Sequence, residues 1–347
     1  MKLDVMIAPD ELTTVQTRAR ALEAAGFANI WFTETGRTPY LSCAAAGLAT
    51  ERIGIGTAIA VAFPRSPMIT ASTAYELAEA TGGRFILGLG TQVKAHIERR
   101  YSSEYAPPGP RLKEYVQAIQ QIFRAFRGEE KLAFQGDFYD FSLLPAQWMP
   151  GPIDAPDPPI YVSAVLPWMS RMAGEVCDGI HIHPFNSATY LTEMQRPHVE
   201  EGAARAGRSL DDITFVIPVM TAVGDTEEEL ASTREHARSM VAFYGSTRTY
   251  SPMFEIHGFD GLSARLHALQ REGDIEGMIA LITDDVLDHY TVSGSWSELG
   301  HRLIERYRDV APNTRLMTYT AAHQIRDGDL SSLERWAEVV EVVEAQR

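Results

Sequence analysis

Short apolar runs alternate along this chain with longer segments in which apolar positions recur every three or four residues. Leu3–Ala8 reads as a strand. Leu12–Ala25 follows at helical spacing, with Leu22 and Ala25 inward, Arg18, Arg20 and Glu23 outward, and Gly26 placed to stop it. The alternation continues with a strand at Asn29–Phe32, an Ala-rich helix at Tyr40–Thr50, a strand at Arg52–Val61, a helix at Pro67–Ala80 opened by its proline, and a strand at Arg84–Gly90. Pro110–Arg127 is amphipathic and helical. Strands are predicted at Ile160–Ala164, Gly179–His183, Ile213–Val223 and Arg315–Thr320. The helices after them are Pro167–Val176, Tyr190–Ala206, Thr226–Phe243 (opened by a Thr226/Glu229 capping box) and Ser332–Ala345.

Eight strands alternating with helices predict parallel β-α-β units, and that number favours one closed (β/α)8 TIM barrel over an open doubly wound sheet. The whole chain, 1–347, reads as one domain. Two stretches exceed a minimal barrel: Glu129–Pro159, rich in Pro, Gly and aromatics, and Tyr244–Asp309, with several short helical patterns. Both read as insertions at or near the catalytic mouth, because long ordered loops in compact domains usually serve function.

Composition narrows the partners. The formal charge of −15 argues against nucleic acid or an anionic membrane surface, which require a basic patch. No apolar run approaches the roughly 20 residues that span a bilayer. Acids occupy the place of a signal peptide's apolar region in the N-terminal stretch, so a cytoplasmic protein is expected. Cys43 and Cys177 allow one disulfide but are expected to be free thiols.

Candidate chemistry gathers after the strands, where parallel barrels keep their sites. Gly88-Leu89-Gly90-Thr91-Gln92 ends a strand, but Val93 stands where a dinucleotide fingerprint needs its third glycine. The segment is then either a tight strand exit or a place where a planar or phosphorylated ligand approaches the backbone. Glu34, at the end of the second strand, is either a site carboxylate or half of a rim ion pair. His181 and His183 share one face of their strand. Glu34, Asp178 and His96 offer no recognised metal spacing to complete a site with them, so no metal is expected. Pro167-Trp168-Met169 opens a helix whose first N–H groups suit a phosphate. Lys94 is a weak candidate for Schiff-base chemistry.

Several segments together resemble the luciferase-like monooxygenase superfamily, and most of all its branch that uses the deazaflavin coenzyme F420. They are Ala58–Pro67, Ile69–Ser72, Gly82–Arg100, Ile160–Gly179, Gly202–Asp212, Phe243–Thr247 and Val292–Glu298. The resemblance implies a (β/α)8 barrel with an insertion after the seventh strand, commonly dimeric. It places a non-prolyl cis peptide at Ala58–Ile59 behind the deazaflavin ring. Gly90, Thr91 and Gln92 fall at the ring and its ribityl chain, Ala164, Val165, Leu166, Pro167 and Trp168 at the phosphate, and Glu34 near the ring.

The chain departs from the family's sugar-phosphate dehydrogenase at three places. Thr35 stands for a catalytic histidine, Val93 for a glutamate, and the region of Asn186 for a phosphate-binding lysine. That activity is therefore not expected. The expected function is hydride transfer between C5 of F420 and a small organic substrate, with Glu34, His96, His181 and His183 as candidates for moving the proton, His183 foremost. The alternatives are an FMN monooxygenase served by a separate reductase, and a non-redox barrel lyase or cofactor-binding protein. A cationic groove from Arg65, Lys94, Arg99 and Arg100 would favour the longer F420 tail. Phe134, Phe138, Tyr139, Phe141 and Trp148 either hint at an apolar substrate or simply anchor their loop.

Overall fold

A computed structural model describes residues 1–319 and 330–345. Its barrel strands are β1 (Lys2–Ile7), β2 (Asn29–Phe32), β3 (Gly54–Thr57), β4 (Phe85–Gly90), β5 (Ile160–Ser163), β6 (Gly179–His181), β7 (Thr214–Val223) and β8 (Asn313–Thr318). Each pairs in parallel with its chain neighbour, and β8 returns to β1 with Leu316 opposite Leu3, so the sheet closes. The expected barrel is present. Thr320, the last residue of the predicted eighth strand, lies outside the described residues.

Strand alternation divides each strand between two cores. Leu3, Val5 and Ile7 of β1 are fully buried in the outer core, together with Val15, Ala19 and Leu22 of the helix Leu12–Ala24. The opposite face points into the barrel, where Trp31, Tyr161, Val216 and Met317 form a separate cluster flanked by Met6, Ala58 and Ile86. Large rings fit there because glycines make room. Methyl groups built on Gly56 and Gly179 would stand 2.3 Å and 2.6 Å from the Trp31 and Tyr161 rings. Asp4, with no exposed surface, accepts from Trp31 Nε1 at 2.8 Å and takes a two-pronged bond from Arg315 at 2.8 and 2.7 Å. That geometry offsets the cost of burying the charge.

The predicted strand Arg52–Val61 is interrupted. Register changes by one residue between Gly56, opposite Ile86, and Ala60, opposite Leu89, which leaves residues 57–59 facing 87–88. This is a bulge, and the Ala58–Ile59 peptide within it is cis. The Thr57 hydroxyl repairs the broken ladder: it donates to the Gly88 carbonyl at 2.7 Å and accepts from the Gly88 N–H at 2.9 Å.

Other boundaries also move. β6 ends at His181, so His183 lies past the strand. The helix predicted at Tyr190–Ala206 carries a π-helical turn at Leu191–Gln195 just before Pro197, whose missing N–H disturbs the ladder. β7 outgrows the barrel, and its last residues pair with a further strand, Thr291–Gly294. The extra material after β7 therefore ends at Gly294. Trp296–Tyr307 is the helix that leads back to β8, packed on the closing helix Leu333–Ala345, not part of the insertion.

Glu129–Pro159 reaches the loop after the bulge through Arg111, which bonds the Tyr139 hydroxyl at 3.1 Å and stands 5.0 Å over the Phe63 ring. It holds a small hairpin, Phe134–Gln135 with Asp140–Phe141, laid along the helix Pro108–Phe126. Glu114 of that helix accepts the N–H groups of Asp137, Phe138 and Tyr139 at 2.9, 2.8 and 2.6 Å. Tyr139 packs edge-on to Tyr115 and stacks near Phe141, so these rings anchor the loop. Trp148 is 71% exposed. No helix among the described residues is long and apolar enough to cross a membrane, and both cysteines are free and buried.

Candidate active site

The mouth of the barrel has two unlike sides. On the β3–β5 side the inward positions are small. A methyl group on Gly88 would stand 1.8 Å from the Thr57 carbonyl oxygen. One on Gly90 would meet the Ile59 side chain at 2.8 Å and Ser163 Oγ at 2.7 Å. Gly90 is thus packed closely against Ile59 and Ser163, and Ala58, Ile59 and Ser163 are half-buried around it, a cradle of small residues at the bulge. Gln92 follows in the left-handed region, φ 56°, and its side chain accepts from the Val93 N–H.

Glu34 sits behind this cradle. Arg65 grips both of its oxygens at 2.9 and 2.6 Å, and the Val61 N–H donates to it at 2.7 Å. The carboxylate thus ties the end of β2 to the far side of the bulge, with its side chain only 6% exposed. Arg65 also stands 5.2 Å over the Tyr40 ring. Of the expected cationic groove, Arg65 is therefore engaged. Lys94 and Arg99 are exposed, and Arg100 donates to the Thr35 carbonyl at 2.6 Å.

Beyond β5, Ala164 is buried and its carbonyl accepts from Gln195 Nε2 at 2.8 Å, while Val165 is half-buried. Leu166, Pro167 and Trp168 are exposed at the start of the helix Pro167–Val176. No side chain caps that helix, so its first-turn N–H groups keep their capacity for an anion.

The β6–β8 side is aromatic. His183 follows β6 two residues after the inward-facing His181, and Tyr319 follows β8 in the inward series of Met317. His183 meets Tyr244 edge-on at 5.1 Å and Tyr250 at 4.4 Å between ring centroids, and the Tyr244 and Tyr319 hydroxyls are hydrogen-bonded. All four residues are half-buried. Burial pushes the His183 pKa down to about 4, so the imidazole is neutral near pH 7. Its Nδ1 accepts from the Phe185 N–H at 3.1 Å, which assigns the ring proton to Nε2.

The remaining candidates fall elsewhere. His181 is buried one layer below the mouth, edge-on to Trp31 at 4.7 Å, and neither ring nitrogen has a well-formed hydrogen bond. Desolvation lowers its pKa to about 3. His96 is exposed on the short helix Lys94–Arg99 after β4, whereas His183 follows β6. No group of three or more potential metal ligands occurs among the described residues. Tyr244, Tyr250 and Tyr319 were not singled out by sequence reasoning. Tyr319 was within reach, since it continues the inward series Arg315, Met317. Tyr244 lies in Phe243–Thr247, one of the segments that carry the family resemblance, whereas Tyr250 is placed by the insertion's tertiary course and carries no local signal.

Fold and mouth together define a (β/α)8 barrel with small residues on one side of its mouth and aromatic rings on the other. Residues 2–314 match the family model for luciferase-like monooxygenases, and the chain belongs to that family. It is an oxidoreductase of a family that uses flavin or deazaflavin cofactors. The uncharacterized protein Rv1360 of Mycobacterium tuberculosis is 36% identical over 335 residues, 96% of this chain and 98% of its own. A 5,10-methylenetetrahydromethanopterin reductase of Archaeoglobus fulgidus is 28% identical over 315 residues, covering 88% of this chain and 90% of the relative. Among solved structures, the coenzyme F420 dependent tetrahydromethanopterin reductase from Methanopyrus kandleri superposes with a TM-score of 0.78 at 22% identity, covering 98% of each chain.

Proposed function

We propose that this protein is an F420-dependent oxidoreductase that moves a hydride between C5 of the deazaflavin and a small organic substrate. The observation that carries the reading is the cradle at the bulge. Ala58, Ile59 and Ser163 are half-exposed there around Gly90, and a side chain added at Gly90 would push against Ile59 and Ser163 and disturb that small-residue surface. The named reductases among the relatives favour the deazaflavin over FMN.

Ala58, Ile59, Gly90, Thr91 and Gln92 would hold the ring and ribityl chain, and Ala164 to Trp168 the phosphate. Exposed Arg99 is available to an anionic tail, and Lys94, paired with Glu98 at 3.6 Å, is exposed beside it. The bound coenzyme supplies the hydride chemistry; the protein supplies orientation and a dry surface. Glu34, gripped by Arg65 and Val61, keeps the bulge in place. His183 is the proton-handling candidate best placed for a substrate. As a neutral imidazole it offers Nε2–H as a hydrogen-bond donor to a substrate oxygen, in preference to releasing a proton as imidazolium. Leu41, Leu48 and Ile69, exposed on the neighbouring helices Pro39–Ala49 and Pro67–Ala80, support a homodimer.

Fluorescence titration with oxidised F420 and, separately, with FMN tests the reading. Micromolar or tighter binding of F420, with FMN weaker by about tenfold or more, is the expected result. Preference for FMN moves the protein to the flavin monooxygenases, and binding of neither revives the non-redox alternative.

A further inference from the structure

We propose that the wall formed by His183, Tyr244, Tyr250 and Tyr319 is the substrate platform, and that it selects a flat, uncharged, conjugated carbonyl compound. The proposal rests on the cofactor reading above for what faces the wall, but the wall itself is read from its own geometry.

The four residues reach the mouth from three separate parts of the chain: the exit of β6, the exit of β8, and the end of the insertion helix Glu227–Gly245 with the turn Arg248–Tyr250 after it. Their rings present both faces and edges, since His183 is tilted 48° to Tyr250 and 86° to Tyr244. Mixed edge and face contacts hold a planar conjugated ring better than a saturated one of equal size, because the quadrupoles of the rings complement each other. The layer beneath is closed by Trp31, Tyr161 and His181, so a ligand cannot sink further and must lie on the wall.

Polarity sets the second criterion. His183 has its Nδ1 committed to the Phe185 N–H, which leaves Nε2–H as the donor for a ligand oxygen. Burial raises the Tyr250 pKa and lowers that of His183, so both side chains are neutral near pH 7. Among the described residues no ion pair or cation–π contact reaches His183 or Tyr250, whose ring neighbours are tyrosines, so an anionic substrate would lose its hydration on them without return. A neutral carbonyl compound loses little and gains a hydrogen bond.

The test is calorimetric titration of the full chain, with and without saturating F420, using three probes: 1,4-naphthoquinone, the saturated cyclohexane-1,4-dione, and the anionic 1,4-naphthoquinone-2-sulfonate. Naphthoquinone is expected to bind about tenfold or more tightly than either of the others. Tyr250→Leu, which keeps bulk without a π face, is expected to weaken naphthoquinone about tenfold while F420 affinity stays within about twofold. Tyr250→Phe is expected to keep the naphthoquinone affinity and so separates stacking from any folding defect. Loss of F420 binding in the wild type, with Tyr250-dependent quinone binding retained, overturns the cofactor reading and leaves the wall standing. Quinone binding indifferent to Tyr250→Leu, equal binding of the sulfonate, or no quinone binding at all overturns the wall.

Discussion

His181 and His183 lie two residues apart, the first ending β6 and the second just past it, yet they belong to different regions. His181 is in the closed interior, packed against Trp31 and Tyr161 with no well-formed hydrogen bond. His183 is one step higher, half-exposed at the mouth, hydrogen-bonded to the chain and flanked by tyrosines. The interior is organised to be filled and the mouth to be filled by something else. The same contrast separates Gly88 from Gly90. The first is hemmed in by backbone, the second mainly by side chains that can give.

The strongest way to break this contrast is at the floor of the interior. Asp4→Ala leaves the largely buried Arg315 guanidinium without its partner and is expected to cost about 3–5 kcal/mol in denaturant unfolding. A loss below about 1 kcal/mol would mean that water already reaches the interior. Gly88→Ala is next. Its new methyl group meets the Thr57 carbonyl, which the bulge holds in place, and about 3 kcal/mol is expected from the same measurement.

Acid titration sharpens the contrast from the side of His181. Its folded pKa, about 3, lies below the value of 6.5 expected in the unfolded chain. The unfolded state therefore binds the extra proton first. Its stabilising contribution is complete above pH 6.5 and is lost as pH falls toward 3. His181→Leu should remove about 2 kcal/mol of the stability difference between pH 7 and pH 5. An unchanged difference in the variant places the acid sensitivity in other groups, such as His183 and His257, whose pKa values are also lowered. The smallest expected effect on folding is at the mouth. Gly90→Ala should cost under about 1 kcal/mol, since Ile59 and Ser163 side chains can shift, yet weaken F420 about tenfold. An unchanged affinity would remove Gly90 from the cofactor cradle.

Much of the barrel was legible because its signals are local. Apolar runs, Gly26 and the Thr226/Glu229 capping box mark elements through backbone preferences that act within a few residues, and the box forms as read. The interruption of the third strand was legible only through resemblance, as Ala58–Ile59. In the periodicity it is invisible, because a one-residue register change alters pairing without altering which residues are apolar. Glu34 offered two readings from sequence, and its ion pair with Arg65, 31 residues away, is visible only in the tertiary structure.

What the sequence alone determined is the alternation of strand and helix, the barrel it closes into, and the family likeness that names a cofactor class. Tertiary structure decided which inward position is floor and which is mouth. It also turned the hairpin at 134–141 onto the outer helix and carried Tyr244 and Tyr250 from the insertion to His183. The physical reason is range. Secondary structure and periodicity depend on neighbours in the chain, whereas burial, pKa and the company of a side chain depend on segments far apart in sequence that meet only when the barrel closes.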